Sequence, residues 1–259
     1  MNVDIKFAMP NNKIHIIDVG AAPIDGDPVY LPLTKNGQYK ITGFEPSPEM
    51  FAKLPQDETH KYYPWALGDG KAHMLNICKY PGMTSIFKPD KHVLVGVLDQ
   101  PDMSEILRSV EIETKRMDDI PMDAIDFLKM DIQGAELMVL QNAIERLRDV
   151  LVIHIEVNFI PFYESQPLFG DIDLFLRSQG FIFHKFSEMH QTQSQMYWAD
   201  AVYIRPFEYL KTMDIVQLSK IIRIVHEVYQ AYDIVDLCFK ELDRRMGTNY
   251  RVIYKEMEK

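Results

Sequence analysis

One stretch limits the possible folds more than any other: Ile125-Asp126-Phe127-Leu128-Lys129-Met130-Asp131-Ile132-Gln133-Gly134-Ala135-Glu136. An apolar run with β-favourable residues ends on an acid, Asp131. Gly134 follows within three residues, and Ala135 to Ala143 then reads as a helix. A buried strand that ends on a carboxylate and turns straight into a helix is how open α/β sheets place reactive groups, because their ligands sit just beyond the carboxyl ends of the strands. Asp131 is therefore expected to floor an active site, with two upstream segments gripping a cofactor.

The rest of the chain repeats this strand-then-helix rhythm. Lys13 to Val19 reads as a buried parallel strand ending at Gly20, with a proline- and glycine-rich loop over Pro23 to Pro32. Tyr39 to Phe44 is a second strand. It leads into Ser47 as an N-cap, Pro48 at the first helical position, and a short helix to Leu54. Lys61 to Leu67 reads as a third strand, and Lys71 to Ile86 as a hairpin turning at Pro81-Gly82. A short helix over Pro101 to Leu107 precedes an alternating strand through Val110, Ile112 and Thr114. Val150 to Val157 is a buried strand, Phe169 to Ser178 a helix stopped by Gly180, and Phe181 to Phe186 and Ala199 to Arg205 an antiparallel edge pair. Strands alternating with helices argue for a doubly wound α/β sheet. After Pro206 the pattern changes. Leu218, Ile221, Ile222, Val225, Val228, Tyr229, Tyr232 and Val235 recur at helical spacing, as one long amphipathic helix or two packed ones. The expected division is a sheet domain over 1–206 and a helical extension over 207–259. The extension's apolar stripe needs a partner: its own domain, another protein or, by preference, a second copy in a homodimer.

Composition removes several classes of function. A net charge of −10 argues against a nucleic-acid scaffold and against docking on an anionic membrane surface. No apolar run is long enough to cross a bilayer, and Met1 to Pro10 lacks the apolar core of a signal peptide, so the expected setting is cytoplasmic. Cys78 and Cys238 match no metal or redox spacing and read as buried free thiols.

Asp18, Glu45 and Asp131 lie at three strand ends, and Glu156 closes a fourth. Any one of them could be a helix cap or turn former. Together on one edge they would repel one another without a ligand or cation. Glu45 is the sharpest. An acid ending the second strand, after a glycine-containing first turn, is placed to accept both ribose hydroxyls of a nucleotide cofactor. The first turn lacks G-x-G-x-x-G, and the next glycine after Gly20 is Gly26. A pyrophosphate needs several backbone N–H groups at a helix start, so NAD and FAD are disfavoured. A nucleoside cofactor without a pyrophosphate asks less of this loop.

The segments IDVGA (Ile17 to Ala21), GFEPSPE (Gly43 to Glu49), ALGD (Ala66 to Asp69), MTSIF (Met83 to Phe87) and KMDIQGAE (Lys129 to Glu136) occur in order. They are followed by IEV (Ile155 to Val157), Gly180-Phe181 and ADAVYIR (Ala199 to Arg205). In these the chain resembles the FkbM family of S-adenosylmethionine-dependent methyltransferases, over roughly Lys13 to Arg205. The resemblance implies a Rossmann-like seven-stranded, mostly parallel sheet with an antiparallel last strand, and O-methyl transfer to a hydroxyl of a sugar or natural product. It places Asp18, Gly20 and Ala21 at the methionine part of S-adenosylmethionine, Glu45 at the ribose, Ala66, Leu67 and Asp69 around the adenine, and Asp131 beside the transferred methyl. Two departures stand out. Ala22 and Pro23 replace the usual Asn followed soon by Gly, and Gln133 stands where Glu is commoner.

A sulfonium methyl is already activated, so the enzyme must align acceptor, methyl and sulfur and exclude water. Asp131 is the expected general base, provided burial or Glu156 raises its pKa. A Mg²⁺ shared by Asp131 and Glu156 is the alternative, disfavoured because no clear third ligand is present. His154 shares a strand face with Glu156 but reads first as a hydrogen-bonded core residue, and Glu136 as a structural acid on the first helical turn. Ser85 could touch a ligand or simply form a turn. The aromatics of Asn158 to Tyr163 could line an acceptor pocket or fold onto the core. Two rival functions remain: a nicotinamide-dependent oxidoreductase, opposed by the missing glycines, and a non-catalytic module on the same sheet, favoured by the Ala22-Pro23 loop.

Overall fold

The computed structural model describes residues 13–22, 26–192 and 194–257. The N-terminal segment read above for a signal peptide and Pro23 of the altered loop lie outside the described residues. In chain order the elements begin with β1 (Ile14–Val19), α1 (Leu31–Thr34), β2 (Tyr39–Phe44), α2 (Pro48–Phe51), β3 (His60–Tyr63), β4 (Ala66–Leu67) and β5 (Ala72–Cys78). Next are α3 (Lys91–Leu94), β6 (Ile106–Lys115), β7 (Phe127–Met130), α4 (Glu136–Gln141), α5 (Ile144–Leu147), β8 (Val152–Asn158), α6 (Phe169–Ser178), β9 (Ile182–Gln191) and β10 (Met196–Ile204). The chain closes with α7 (Ile215–Glu227), α8 (Tyr232–Met246) and α9 (Tyr250–Met257).

Seven strands form the central sheet in the order β3-β2-β1-β7-β8-β10-β9. The pairs from β3 through β8 are parallel, and β10 runs antiparallel between β8 and β9. The expected mostly parallel Rossmann-like sheet with an antiparallel last strand is therefore present. Parallel pairing sends the ends of β1, β2, β7 and β8 to one edge, so Asp18, Glu45, Asp131 and Glu156 all lie near it.

Several local expectations change. Lys61 to Leu67 is not one strand. Pro64 has no N–H to donate, and the chain breaks there into β3 of the main sheet and β4 of a second, three-stranded sheet, β4-β6-β5. The hairpin expected over 71–86 is reduced to one antiparallel bridge, Asn76 with Ser85, across the 3-10 turn Pro81–Met83, and β5 takes its main pairing from β6. The helix expected over Pro101 to Leu107 is a 3-10 turn of Pro101–Ser104, and Ile106 already belongs to β6. Ala135 to Ala143 shortens to α4, with α5 starting after a break. Cys78 and Cys238 are buried and free.

The two faces of the sheet are closed by different parts of the chain. On one, Ile17, Leu128, Ile153 and Ile155 pack with Val139, Leu140 and Leu147 of α4 and α5, and with Ile172 and Leu176 of α6. On the other, the β1–β2 and β2–β3 crossovers carry only the single turns α1 and α2, although parallel crossovers usually bring a full helix. α7 and α8 supply that cover: Leu218, Ile221, Ile222, Val225, Val235, Cys238 and Phe239 pack with Ile14, Ile16, Ile41, Phe127 and Val202. The tail's apolar stripe thus meets its own sheet, and each such large aliphatic side chain contributes roughly 1.5–3 kcal/mol by leaving water. Asp214 caps α7 by accepting from the Gln217 N–H at 2.7 Å, while the Gln217 amide oxygen accepts from the Asp214 N–H at 3.0 Å. Arg223, buried on α7, donates to the carbonyls of Leu33 and Gln38 and to Asn36 Oδ1, locking the helix to the α1–β2 connection. Lys220 donates to Asp126 at 2.8 Å at the foot of β7. α8 ends at Gly247, whose φ of 67° suits a residue without a side chain.

Candidate active site

A cavity of about 480 Å³ opens at the carboxyl edge of the sheet, on the face covered by α7 and α8. Asp18, Ala21, Lys129, Asp131, His154 and Asp200 line it, with Tyr30 and Tyr62 towards its apolar side. That size suits a small ligand. Of the residues singled out from sequence, Asp18, Ala21 and Asp131 meet here.

The first turn is tight because nothing larger than glycine fits it. Gly20 has φ +80°, and a Cβ on it would stand 1.9 Å from the carbonyl oxygen of Asp131. The N–H groups of Gly20 and Ala21 both donate to the Phe44 carbonyl, and the Asp131 N–H donates to that of Val19. The ends of β1, β2 and β7 are thus stitched together by backbone. Lys129, which the sequence reading did not single out, completes the junction. Its ammonium donates to the Gly20 carbonyl at 3.0 Å and lies 3.3 Å from Asp18 Oδ1. Burial works against that charge, but Asp18 and Asp131 outweigh it and hold the Lys129 pKa above its ordinary value. Tyr30 donates to Asp18 Oδ2 at 2.6 Å. Asp18 Oδ1 feels the Lys129 charge but receives no aligned hydrogen bond among the described residues, which leaves a buried acceptor facing the cavity.

Glu45 is buried at the end of β2, beside this junction but not in the cavity wall. Its carboxylate accepts from the Ser47 N–H at 2.7 Å and from the backbone of Ala22. Burial raises its pKa against those bonds, and the charge of Asp18 adds to the rise. Ala66 and Leu67 form β4, away from the cavity wall. The Asp69 carboxylate is engaged within its own turn, by His73 at 2.8 Å and Lys71 at 3.3 Å, and these bonds depress its pKa to about 2.

The acids around Asp131 are shifted in opposite directions. Glu156 and Asp200 stand directly opposite each other on β8 and β10. Like charges there repel. Burial, followed by the charges of Asp131, Glu136 and Asp200, pushes the Glu156 pKa well above its ordinary value. Burial also works on Asp200, but His154 and the Lys129 charge pull its pKa below the ordinary value. His154 Nε2 lies 3.4 Å from Asp200 Oδ2, and its Nδ1 bonds to the Tyr229 hydroxyl of the α7–α8 connection at 3.1 Å. It is a hydrogen-bonded buried histidine, and it also borders the cavity. Glu136 accepts from the Ile132 N–H at 2.9 Å, closing the turn after Asp131. Burial raises its pKa to about 7, which fits the structural role expected for it.

Neither Asp200 nor Tyr229 carried a sequence signal. A lone acid inside an apolar edge strand and a tyrosine on an amphipathic stripe both look like packing. The aromatics of Asn158 to Tyr163 do not wall the cavity. Phe159 packs on Phe169 and Phe186, and Phe162 on Trp198. Among the described residues no group of three or more His, Cys, Asp or Glu could hold a metal ion, and no helix is long and apolar enough to cross a membrane.

The family model described as the methyltransferase FkbM domain matches residues 18–183, more than half of the chain. Among solved structures, a methyltransferase FkbM from Methylobacillus flagellatus KT is similar at 15% identity, with 75% of this chain and 44% of that chain covered and a TM-score of 0.42. The chain therefore spans less than half the length of that relative. A magnesium protoporphyrin IX methyltransferase from Synechocystis PCC 6803 with bound SAM is similar at 10% identity, with 76% of this chain and 72% of that chain covered and a TM-score of 0.41. No curated protein matches the chain.

Proposed function

We propose, because the chain belongs to the methyltransferase FkbM family, that it transfers a methyl group from S-adenosylmethionine to a hydroxyl of a sugar or natural-product acceptor. The observation that carries this reading is the convergence of Asp18, Lys129 and Asp131 on one cavity at the ends of β1 and β7. The fit to the cofactor rests on the buried, unbonded Asp18 Oδ1, which suits an ammonium donor, and on the small side chains of Ala21 and Ala22 in the cavity wall. In this reading Asp18, Gly20 and Ala21 hold the methionine part. Glu45 takes the ribose, and Ala66 and Leu67 border the base, with Asp69 closing their turn.

When bound, S-adenosylmethionine supplies a methyl group already activated by its sulfonium. The chain's own residues do the rest. Lys129 fixes the Gly20 carbonyl and so the shape of the first turn. Asp131 takes the proton of the acceptor hydroxyl at a carboxylate oxygen. Glu156 stands beside Asp131 at the end of β8, and Tyr30 and Tyr62 bound the cavity in which acceptor and cofactor would meet.

Calorimetry with S-adenosylhomocysteine and with NAD tests the reading, with heat expected only for the first. Asp131→Asn should bind S-adenosylhomocysteine with nearly unchanged affinity and lose transfer of label from radioactive S-adenosylmethionine to a panel of glycosides. Full transfer by Asp131→Asn removes Asp131 as the base, and heat with NAD alone overturns the cofactor assignment.

A further inference from the structure

The turn after Asp131 contains an anomaly that the transfer reaction does not by itself require. Gln133 has φ +59°, in the left-handed region, and Gly134 follows at φ +99°. A side chain in that region is strained relative to glycine. Three directed bonds hold Gln133 there. Its Nε2 donates to Asp131 Oδ1 at 2.8 Å, Tyr163 donates its hydroxyl to the Gln133 Oε1 at 2.9 Å, and Ser85 donates to the Gln133 carbonyl at 2.6 Å.

We propose that Gln133 is a positioning residue: Tyr163 orients its amide, Ser85 fixes its backbone, and the amide holds the Asp131 carboxylate in one direction at the cavity. This rests on the reading of Asp131 as the base. The polarity of the chain of bonds is forced. A carboxylate only accepts, so the Gln133 nitrogen must face Asp131, and its oxygen must face Tyr163. Tyr163 can then only donate, and it retains its proton because burial, then the charges of Glu156 and Glu136, push its pKa well up. Tyr163 is itself immobile. It is 1% exposed, and its N–H and that of Phe162 donate to Gln166 Oε1, while the Gln166 amide donates to Asn158 at 2.7 Å. The aim of Asp131 is thus set by the two mutually paired loops that carry Ser85 and Tyr163. A donor amide beside a carboxylate also favours its charged form, where a carboxylate in its place would oppose it.

The decisive variant is Gln133→Gly with Tyr163→Phe. It relieves the left-handed strain and removes the hydroxyl that would otherwise be orphaned, so it should fold with a melting temperature within about 3 °C of the parent or above it. The readout is the pH titration of the Asp131 carboxyl by ¹³C NMR in the free protein, assigned by its loss in Asp131→Asn. The other charged and titratable groups around Asp131 are Lys129 on β7, Glu136 on α4, Glu156 and His154 on β8, Glu188 on β9, Asp200 on β10, Asp18 on β1 and Tyr163, and all but Tyr163 are common to both proteins. Loss of one donor to the carboxylate should move the Asp131 midpoint up by about one pH unit. Gln133→Glu, with Tyr163 kept, should move it further in the same direction. A midpoint unchanged in the Gln133→Gly, Tyr163→Phe protein overturns the proposal, whatever Gln133→Glu shows. The titration needs no acceptor, so its outcome is separate from that of the Asp131→Asn transfer assay, which alone judges the base.

Discussion

Glu136 offers the sharpest quantitative test of the site's electrostatics. It is 3% exposed, and burial, reinforced by the charge of Asp131, raises its pKa from 4.5 to about 7 despite backbone N–H donors from Ile132, Gly134 and its own residue. A carboxyl whose folded pKa is raised binds its proton more tightly in the folded chain than in the unfolded one. Its contribution is fully present below about pH 4.5 and is lost as pH rises through about 7. The full difference, 2.5 pH units at 1.36 kcal/mol each, is roughly 3 kcal/mol. Glu136→Gln keeps an oxygen to accept from Ile132 but never ionises. The stability of wild type minus that of Glu136→Gln should therefore fall by roughly 3 kcal/mol between pH 4.5 and pH 8. For a chain of this size that is about 6–12 °C in relative melting temperature. Melting curves of both proteins at half-unit pH intervals measure it. Glu156, whose pKa the Glu136 charge helps to raise, is removed from the comparison by making it in a Glu156→Gln background. A difference that stays flat from pH 4.5 to 8, or one that grows with pH, refutes the assignment of a buried proton to Glu136.

Two further outcomes follow from the packing. Arg223→Met removes the donors to the Leu33 and Gln38 carbonyls, each costing about 1–3 kcal/mol when orphaned, so the melting temperature should drop by more than about 5 °C. A drop below 2 °C would show that α7 is held to the α1–β2 connection without it. Gly20→Ala drives a methyl group to 1.9 Å from the Asp131 carbonyl at a positive φ, and should lose several kcal/mol of stability together with S-adenosylhomocysteine binding. Calorimetry and melting that match wild type would mean the junction of β1 and β7 can open.

The strands of the main sheet could be read because each is a short apolar run closed by an acid, glycine or proline. The shared edge of their ends therefore followed, and so did the gathering of Asp18 and Asp131, while the strand order did not. What could not be read depends on pairings distant in the chain. β5 keeps one bridge to its neighbour, at Ser85, but pairs along its length with β6, where Asn76, Ile77 and Cys78 meet Ser109, Arg108 and Ile106 some thirty residues on. The engagement of Asp69 with His73 became visible only once that second sheet existed. Lys129, not singled out from the sequence, is the cation that holds the Gly20 carbonyl. Ser85, read as a turn serine or a ligand contact, turns out to anchor the Gln133 carbonyl.

The lopsided cover of the sheet has a consequence for biosynthesis. One face closes with helices that follow its strands at once. The other waits for α7 and α8, which begin roughly two hundred residues after β1 leaves the ribosome. At translation rates of about 5–20 residues per second, Ile14, Ile16 and Ile41 stay uncovered for about ten seconds or more. A nascent chain paused before residue 215 should be the species that chaperones hold longest.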